Sequence, residues 1–517
     1  MIKNFKWLFL VSLTFIACNN DDEVTAVPNS SDGLPLTAGS ANFSKFVSLG
    51  NSLTAGYSDN ALFIEGQKGS YTNILAQQFA QVGGGEFKIP YMNDNIGGLL
   101  FGGTQIQGPR LYFNGAAPVP VAGTPSTEVT NKLTGSFNNL GVPGAKSYHL
   151  LAAGYGNPAG VPLGQANPYY VRFSSSATSK IIDDATAQNP TFFSLWIGNN
   201  DVLGYATSGG TGVNQTGNPN VAAYGANDIT DPTAFAGVYN TLVTNLTANG
   251  AKGVVANIPY VTSVPFFTTV PTNPIPGLPA ASAGQLNALF GGINSALTGA
   301  GLPTRFVTLV ADDGNAATVE ANPLLIRDES LINISTQITA ALTPTVGPTT
   351  AAYLGSIYGQ ARHASNAVAT KDYVLLTARG IIGTTQTGAP SPFNTIGVSY
   401  PMQDNAILTA TETAEVKTAT DAYNATIAAL ATSKGLAFVD ANAALVQVAG
   451  SGISNGGFTV TSAFVTGGGF SLDGVHPSPR GYALIANKFL QAINLKYGSN
   501  FKDVDFGDYR ILFPSVL

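Results

Sequence analysis

The chain has 517 residues, of which 44% are hydrophobic and only 10% charged, with a formal net charge of −6 at pH 7. So few cations leave no basic face for nucleic acid, and beyond the N-terminal region no segment is long and apolar enough to cross a bilayer as a helix. The length can bury a large core and more than one structural unit, and the single cysteine, Cys18, excludes an internal disulfide or a cysteine metal site.

In chain order, Lys3 and Lys6 form a basic start, Trp7 to Ile16 is an apolar run too short to span a membrane, and Ala17 leads to Cys18. Residues 1–17 resemble a bacterial lipoprotein signal peptide, which implies cleavage before Cys18 and lipid on that residue. Asn19-Asn20-Asp21-Asp22-Glu23 and a polar tether follow, through residue 41. An acidic run there is similar to the export signal of Bacteroidetes lipoproteins bound for the outer face of the outer membrane; a solvated, negatively charged linker explains the same residues. The expected location is a lipid anchor in the outer membrane of a Gram-negative bacterium.

Phe46-Val47-Ser48-Leu49 reads as a buried strand ended by Gly50, with Ser52 on its exit. Thr191 to Ile197 is a second strand, ended by Gly198. Asp231-Pro232 opens a helix to about Asn249, Gly253 to Ile258 is another strand, and Thr411 to Ser433 is a long helix before the strand Leu436 to Val439. Arg480 to Tyr497 closes the series as an amphipathic helix. Strands alternating with helices predict an α/β fold, a parallel sheet covered on both faces with ligands at the carboxyl ends of its strands.

A serine hydroxyl needs a base, and a base needs an orienting group. Of the three histidines, His476 lies three residues after Asp473, close enough in a tight loop for the carboxylate to fix its tautomer and leave the other nitrogen for Ser52. His149 and His363 have no carboxylate at a convincing spacing and read as structural. An acyl-transfer site also needs oxyanion donors. The Ser52 N–H, the Gly144 N–H in Gly141-Val142-Pro143-Gly144, and the side-chain amide of Asn200 in Gly198-Asn199-Asn200-Asp201 are the candidates. Gly144 contributes through its backbone, so sequence does not separate a donor from a steric necessity. Asp201 reads as a residue that holds its loop.

These stretches, together with Gly50-Asn51-Ser52-Leu53 and Asp473-Gly474-Val475-His476, resemble in order four blocks of the SGNH (GDSL-type) hydrolases. The resemblance covers about residues 42–263 and 411–498. It implies a three-layer α/β/α fold, Ser52 as nucleophile, Asp473 and His476 as its partners, and Ser52, Gly144 and Asn200 as the oxyanion hole. The first block reads G-N-S-L where the family has G-D-S-L; Asn51 makes similar hydrogen bonds without the charge, so the turn is expected to survive. The function implied is a serine ester hydrolase, lipase- or esterase-like, acting on a lipid or other acyl ester. A carbohydrate acetyl esterase and a non-catalytic surface lipoprotein that binds lipid or glycan are the alternatives. No cofactor or metal is implied, since Asp312-Asp313-Gly314 lacks the alternating oxygen ligands of a calcium loop.

Residues 264–410 match no part of that core and are expected to form a large inserted subdomain near the site; residues 499–517 form a tail. From Gly253 to Thr304 there is no Asp, Glu, Lys, Arg or His. Such a stretch is buried or faces something greasy, so it is expected to line an acyl cleft or lid, or to pack as an ordinary helical subdomain.

Overall fold

The computed structural model describes residues 29–315 and 317–517. The expected signal peptide, Cys18 and the acidic run lie outside the described residues. The end of the expected tether is docked from Ser31 on: its N–H donates to the Asn500 carbonyl at 2.9 Å, and those of Thr37 and Ser40 donate to Asn500 Oδ1 and the Tyr497 carbonyl, both at 2.8 Å.

Five short strands build one parallel sheet: β1 (Phe46–Gly50), β2 (Asn139–Gly141), β3 (Phe192–Trp196), β4 (Lys252–Ala256) and β5 (Ala437–Val439), in the order β5-β4-β3-β1-β2. Four of them lie where the apolar runs predict. Edge strand β2 was not expected; Asn-Leu-Gly is too short to carry a periodic signal and is a strand because Ser48, Leu49 and Gly50 pair with it. Between and after the strands run α1 (Ser52–Ala55), α2 (Tyr71–Ala80), α3 (Asn200–Thr207), α4 (Pro232–Thr247), α5 (Ala280–Gly299), α6 (Ser335–Val346), α7 (Pro348–Tyr358), α8 (Ala410–Ser433), α9 (Ala441–Ala449) and α10 (Pro479–Tyr497).

Period-two alternation sends Val47, Leu49, Phe193, Leu195 and Val255 to one face and Phe46, Phe192, Trp196, Val254 and Ala256 to the other. Helices α4 and α8 cover the first face through Phe235, Tyr239, Tyr423 and Ile427; α2 and α10 cover the second through Tyr71, Phe79, Phe489 and Leu490. Full burial of each large apolar side chain contributes about 1.5–3 kcal/mol, so these two layers fix the sheet. The helix starts follow their caps. Asp231 Oδ1 accepts from Ala234 N–H at 2.8 Å with Pro232 in the first turn, Thr409 and Glu412 form a reciprocal capping box, and Ser478 accepts from Gly481 N–H at 3.1 Å.

Residues 264–410 build hydrophobic clusters of their own. Phe290 and Leu297 of α5, Ile338 of α6 and Tyr358 of α7 pack with Phe306 and Leu325; Val270, Leu324, Val374, Met402 and Ile407 form another group. The tail is anchored too: Phe501 and Phe506 join the second-face core, and Arg110 Nη2 donates to the carbonyls of Pro514 and Ser515 at 2.7 and 3.3 Å. Among the described residues, no helix is long and apolar enough to cross a membrane.

Candidate active site

The four stretches meet at the carboxyl edge of the sheet. Gly50 ends β1 where the chain passes so close to β3 that a Cβ would collide with the Trp196 carbonyl oxygen. Asn51 then caps α1: its Oδ1 accepts from Leu53 N–H at 3.0 Å, and its Nδ2 donates to Asn199 Oδ1 at 3.1 Å. The turn expected to survive without an aspartate does so, and the amide adds a donor that ties this block to the one after β3. Ser52 is thereby the first residue of α1, 6% exposed, with its N–H donating to no acceptor among the described residues.

Ser52 Oγ lies 2.8 Å from His476 Nε2, and His476 Nδ1 lies 2.8 Å from Asp473 Oδ2. The carboxylate is held on both oxygens. Oδ1 accepts from the N–H groups of His476 and Val475 at 2.8 and 2.9 Å and from Ser471 Oγ at 3.1 Å, while Oδ2 also accepts from Asn60 N–H at 3.0 Å. Burial opposes its charge, but the imidazole of His476 and these hydrogen bonds prevail and hold the carboxyl at about 2. The loop closes on itself through Ser471 N–H to the His476 carbonyl at 2.7 Å, and Phe266 N–H donates to the Gly474 carbonyl at 2.9 Å.

Gly144 is exposed with φ of +80°, a left-handed position that glycine adopts without strain, and its N–H also has no acceptor among the described residues. Asn200 starts α3 and donates one amide hydrogen to the Ala145 carbonyl at 2.9 Å, which leaves the second hydrogen without an acceptor among the described residues and aligns the amide with the Gly144 turn. Asp201 holds that arrangement from behind. Fully buried, it accepts from Ser147 N–H at 2.8 Å and Ser147 Oγ at 2.6 Å; burial raises its carboxyl while those bonds pull it down. His149 and His363 sit elsewhere: each accepts a backbone N–H at Nδ1, from Lys146 and Val307, and burial presses both down to about 4.

Beside Ser52 and His476 opens a cleft. Its walls are mostly apolar: Leu53, Trp196, Val261 and Val264, then Ala441, Ala444, Leu445 and Val448 of α9, Phe470, and Leu484, Ile485 and Phe489 of α10, with Asn199 and Lys488 as polar members. The uncharged stretch contributes only Pro259, Val261 and Val264. Beyond Val264 it packs into the sheet's first-face core and the clusters of residues 264–410, so only its first part lines the cleft, and α9 and α10 supply most of the apolar wall. Sequence reasoning missed α9 because a short Ala- and Val-rich helix carries no chemical signature, and it missed Ser471 and Asn60 because their partner is defined only by the fold.

Away from the cleft, Asp312, Asp313 and Glu320 form one group of carboxylates and Glu329, Asp404 and Glu412 another, each with oxygens within 4.8 Å of one another. Glu412 in the second group already accepts from Thr409 N–H at 2.7 Å.

Comparisons of this chain with protein-family models, curated proteins and solved structures find no match.

Proposed function

We propose that the chain is an SGNH-type serine ester hydrolase, with residues 264–410 as an insertion in its core and a lipid anchor at Cys18. The observation that carries this reading is the continuous relay from Ser52 Oγ through His476 to Asp473, both links 2.8 Å long, at the edge of an apolar cleft. In the proposed reaction Ser52 attacks the ester carbonyl while His476 Nε2 takes its proton. Asp473 keeps the proton on Nδ1 and stabilises the imidazolium, and the N–H groups of Ser52 and Gly144 with the second Asn200 amide hydrogen receive the oxyanion. His476 returns its proton to the leaving alcohol, then activates water to release the acid from the acyl-serine.

The cleft favours a fatty-acyl group over acetyl. Each buried methylene contributes about 0.8 kcal/mol, close to fourfold per carbon, and a mostly apolar wall offers a sugar few hydrogen bonds. Hydrolysis of p-nitrophenyl acetate, butyrate and octanoate by the full chain, alongside Ser52→Ala, tests this. Activity that rises with chain length and falls about a million-fold in the variant supports it. Activity confined to acetate moves the reading to a carbohydrate acetyl esterase, and no difference between the two proteins removes the hydrolase reading.

A further inference from the structure

The chain leaves α1 through Gly56 and Tyr57, whose N–H groups both donate to the Ser52 carbonyl, at 3.1 and 3.0 Å. The next four residues close a tight turn, with Ser58 and Ala61 exchanging backbone hydrogen bonds at 3.1 and 3.0 Å. Its central residues, Asp59 and Asn60, have φ of +51° and +64°. Turn tips normally face water. Here Asp59 is 1% exposed, and its turn is pressed against the loop that carries Asp473 and His476.

The contacts run in both directions. Asp59 N–H donates to Ser471 Oγ at 2.9 Å, and that hydroxyl donates onward to Asp473 Oδ1 at 3.1 Å. Leu472 N–H donates to Asp59 Oδ1 at 2.9 Å, so the carboxyl grips the loop one residue before Asp473. Asn60 N–H meets Asp473 Oδ2, and Ser58 Oγ donates to the Pro477 carbonyl at 3.1 Å. One turn hung from the nucleophile therefore touches the acid–base loop on both sides of His476.

We propose that Asp59 is a positioning residue, holding the Asp473–His476 pair in register with Ser52 through Ser471 and Leu472; this rests on the hydrolase reading above. Asp59 does not line the cleft and makes no hydrogen bond to Ser52, and its Oδ2 is buried without a partner among the described residues. Burial, and to a lesser degree Asp473, outweigh the Leu472 bond and Arg110 and raise its carboxyl to about 7. The gripping atom is an acceptor, a task an amide oxygen performs equally well, and asparagine also tolerates a positive φ. Alanine supplies neither.

The test compares the full chain with Asp59→Asn, Asp59→Ala and Ser471→Ala. Turnover is counted per serine labelled by a fluorophosphonate, and the low-field proton resonance of the His476–Asp473 hydrogen bond is recorded without substrate. In Asp59→Ala, kcat is expected to fall about 10- to 100-fold with KM within about twofold, as a small misplacement of reacting groups does, and the resonance to weaken or shift. Asp59→Asn is expected to restore most of both, and Ser471→Ala to fall between. Unchanged kcat per labelled serine and an unchanged resonance in Asp59→Ala overturn the inference. So does an equal loss in Asp59→Asn, which would assign the effect to charge. If Asp59→Ala does not fold, Ser471→Ala with a wild-type resonance and wild-type kcat overturns it alone. A wild-type chain that takes no label and hydrolyses no ester removes the hydrolase reading instead, while the resonance still reports on positioning.

Discussion

Helices α5 and α9 are both rich in apolar side chains, yet they use them differently. α5 lies in the uncharged stretch and buries Leu286, Phe290, Ile293 and Leu297 in a core shared with α6 and α7. α9 buries only Val448, while Ala441, Ala444 and Leu445 remain half-buried along the cleft. The contrast separates two meanings of hydrophobicity. Lack of charge predicts that a segment will be covered, but whether by its own chain or by a ligand depends on where the element lies. α9 follows directly from the carboxyl end of β5, where a parallel sheet presents its ligands; α5 does not.

The largest change expected from breaking that contrast is in stability. Phe290→Ala removes a ring that stacks on Phe306 at 4.8 Å and meets Tyr358 edge-on, and should cost about 3–5 kcal/mol in denaturant unfolding. The ratio of octanoate to acetate hydrolysis should stay as in the wild type; a changed ratio would bring α5 into the acyl site. Ala444→Trp does the reverse. It fills the cleft and should lower kcat/KM for octanoate about 100-fold relative to acetate, with little effect on unfolding. A profile that does not move would show that acyl chains lie elsewhere.

The smallest expected effect concerns the joint between the regions, where Glu329 and Asp404 of the 264–410 segment meet Glu412 of α8. Burial, and then the nearby Glu329 and Asp404, raise the Glu412 carboxyl above its ordinary 4.5. The folded chain thus holds a proton that the unfolded chain releases. This contribution is complete below about 4.5 and lost as pH rises through neutrality. Glu412→Gln keeps an acceptor for Thr409 N–H and should flatten the fall of Tm between about pH 5 and pH 8 by a few degrees. An unchanged slope would mean that the carboxylates do not share a proton-dependent joint.

Much of the frame was legible because its signals are local. Apolar runs bordered by glycine located four of the five sheet strands, and Asp231, Thr409 and Ser478 cap helices close to where the pattern begins them. Asp473 and His476 could be paired on paper because three residues of tight loop bring a carboxylate to an imidazole whatever surrounds them. Other features depend on partners far along the chain. Ser52 and His476 are 424 positions apart and Asp59 and Leu472 are 413 apart, so the relay and the clip behind it exist only once β1 and the loop before α10 share one edge of the sheet. The cleft is of the same kind. Composition settled that this chain had apolar surface to cover; packing decided that α5 would be covered by α6 and α7, while α9 was left facing a space, because only the assembled sheet determines which faces meet protein.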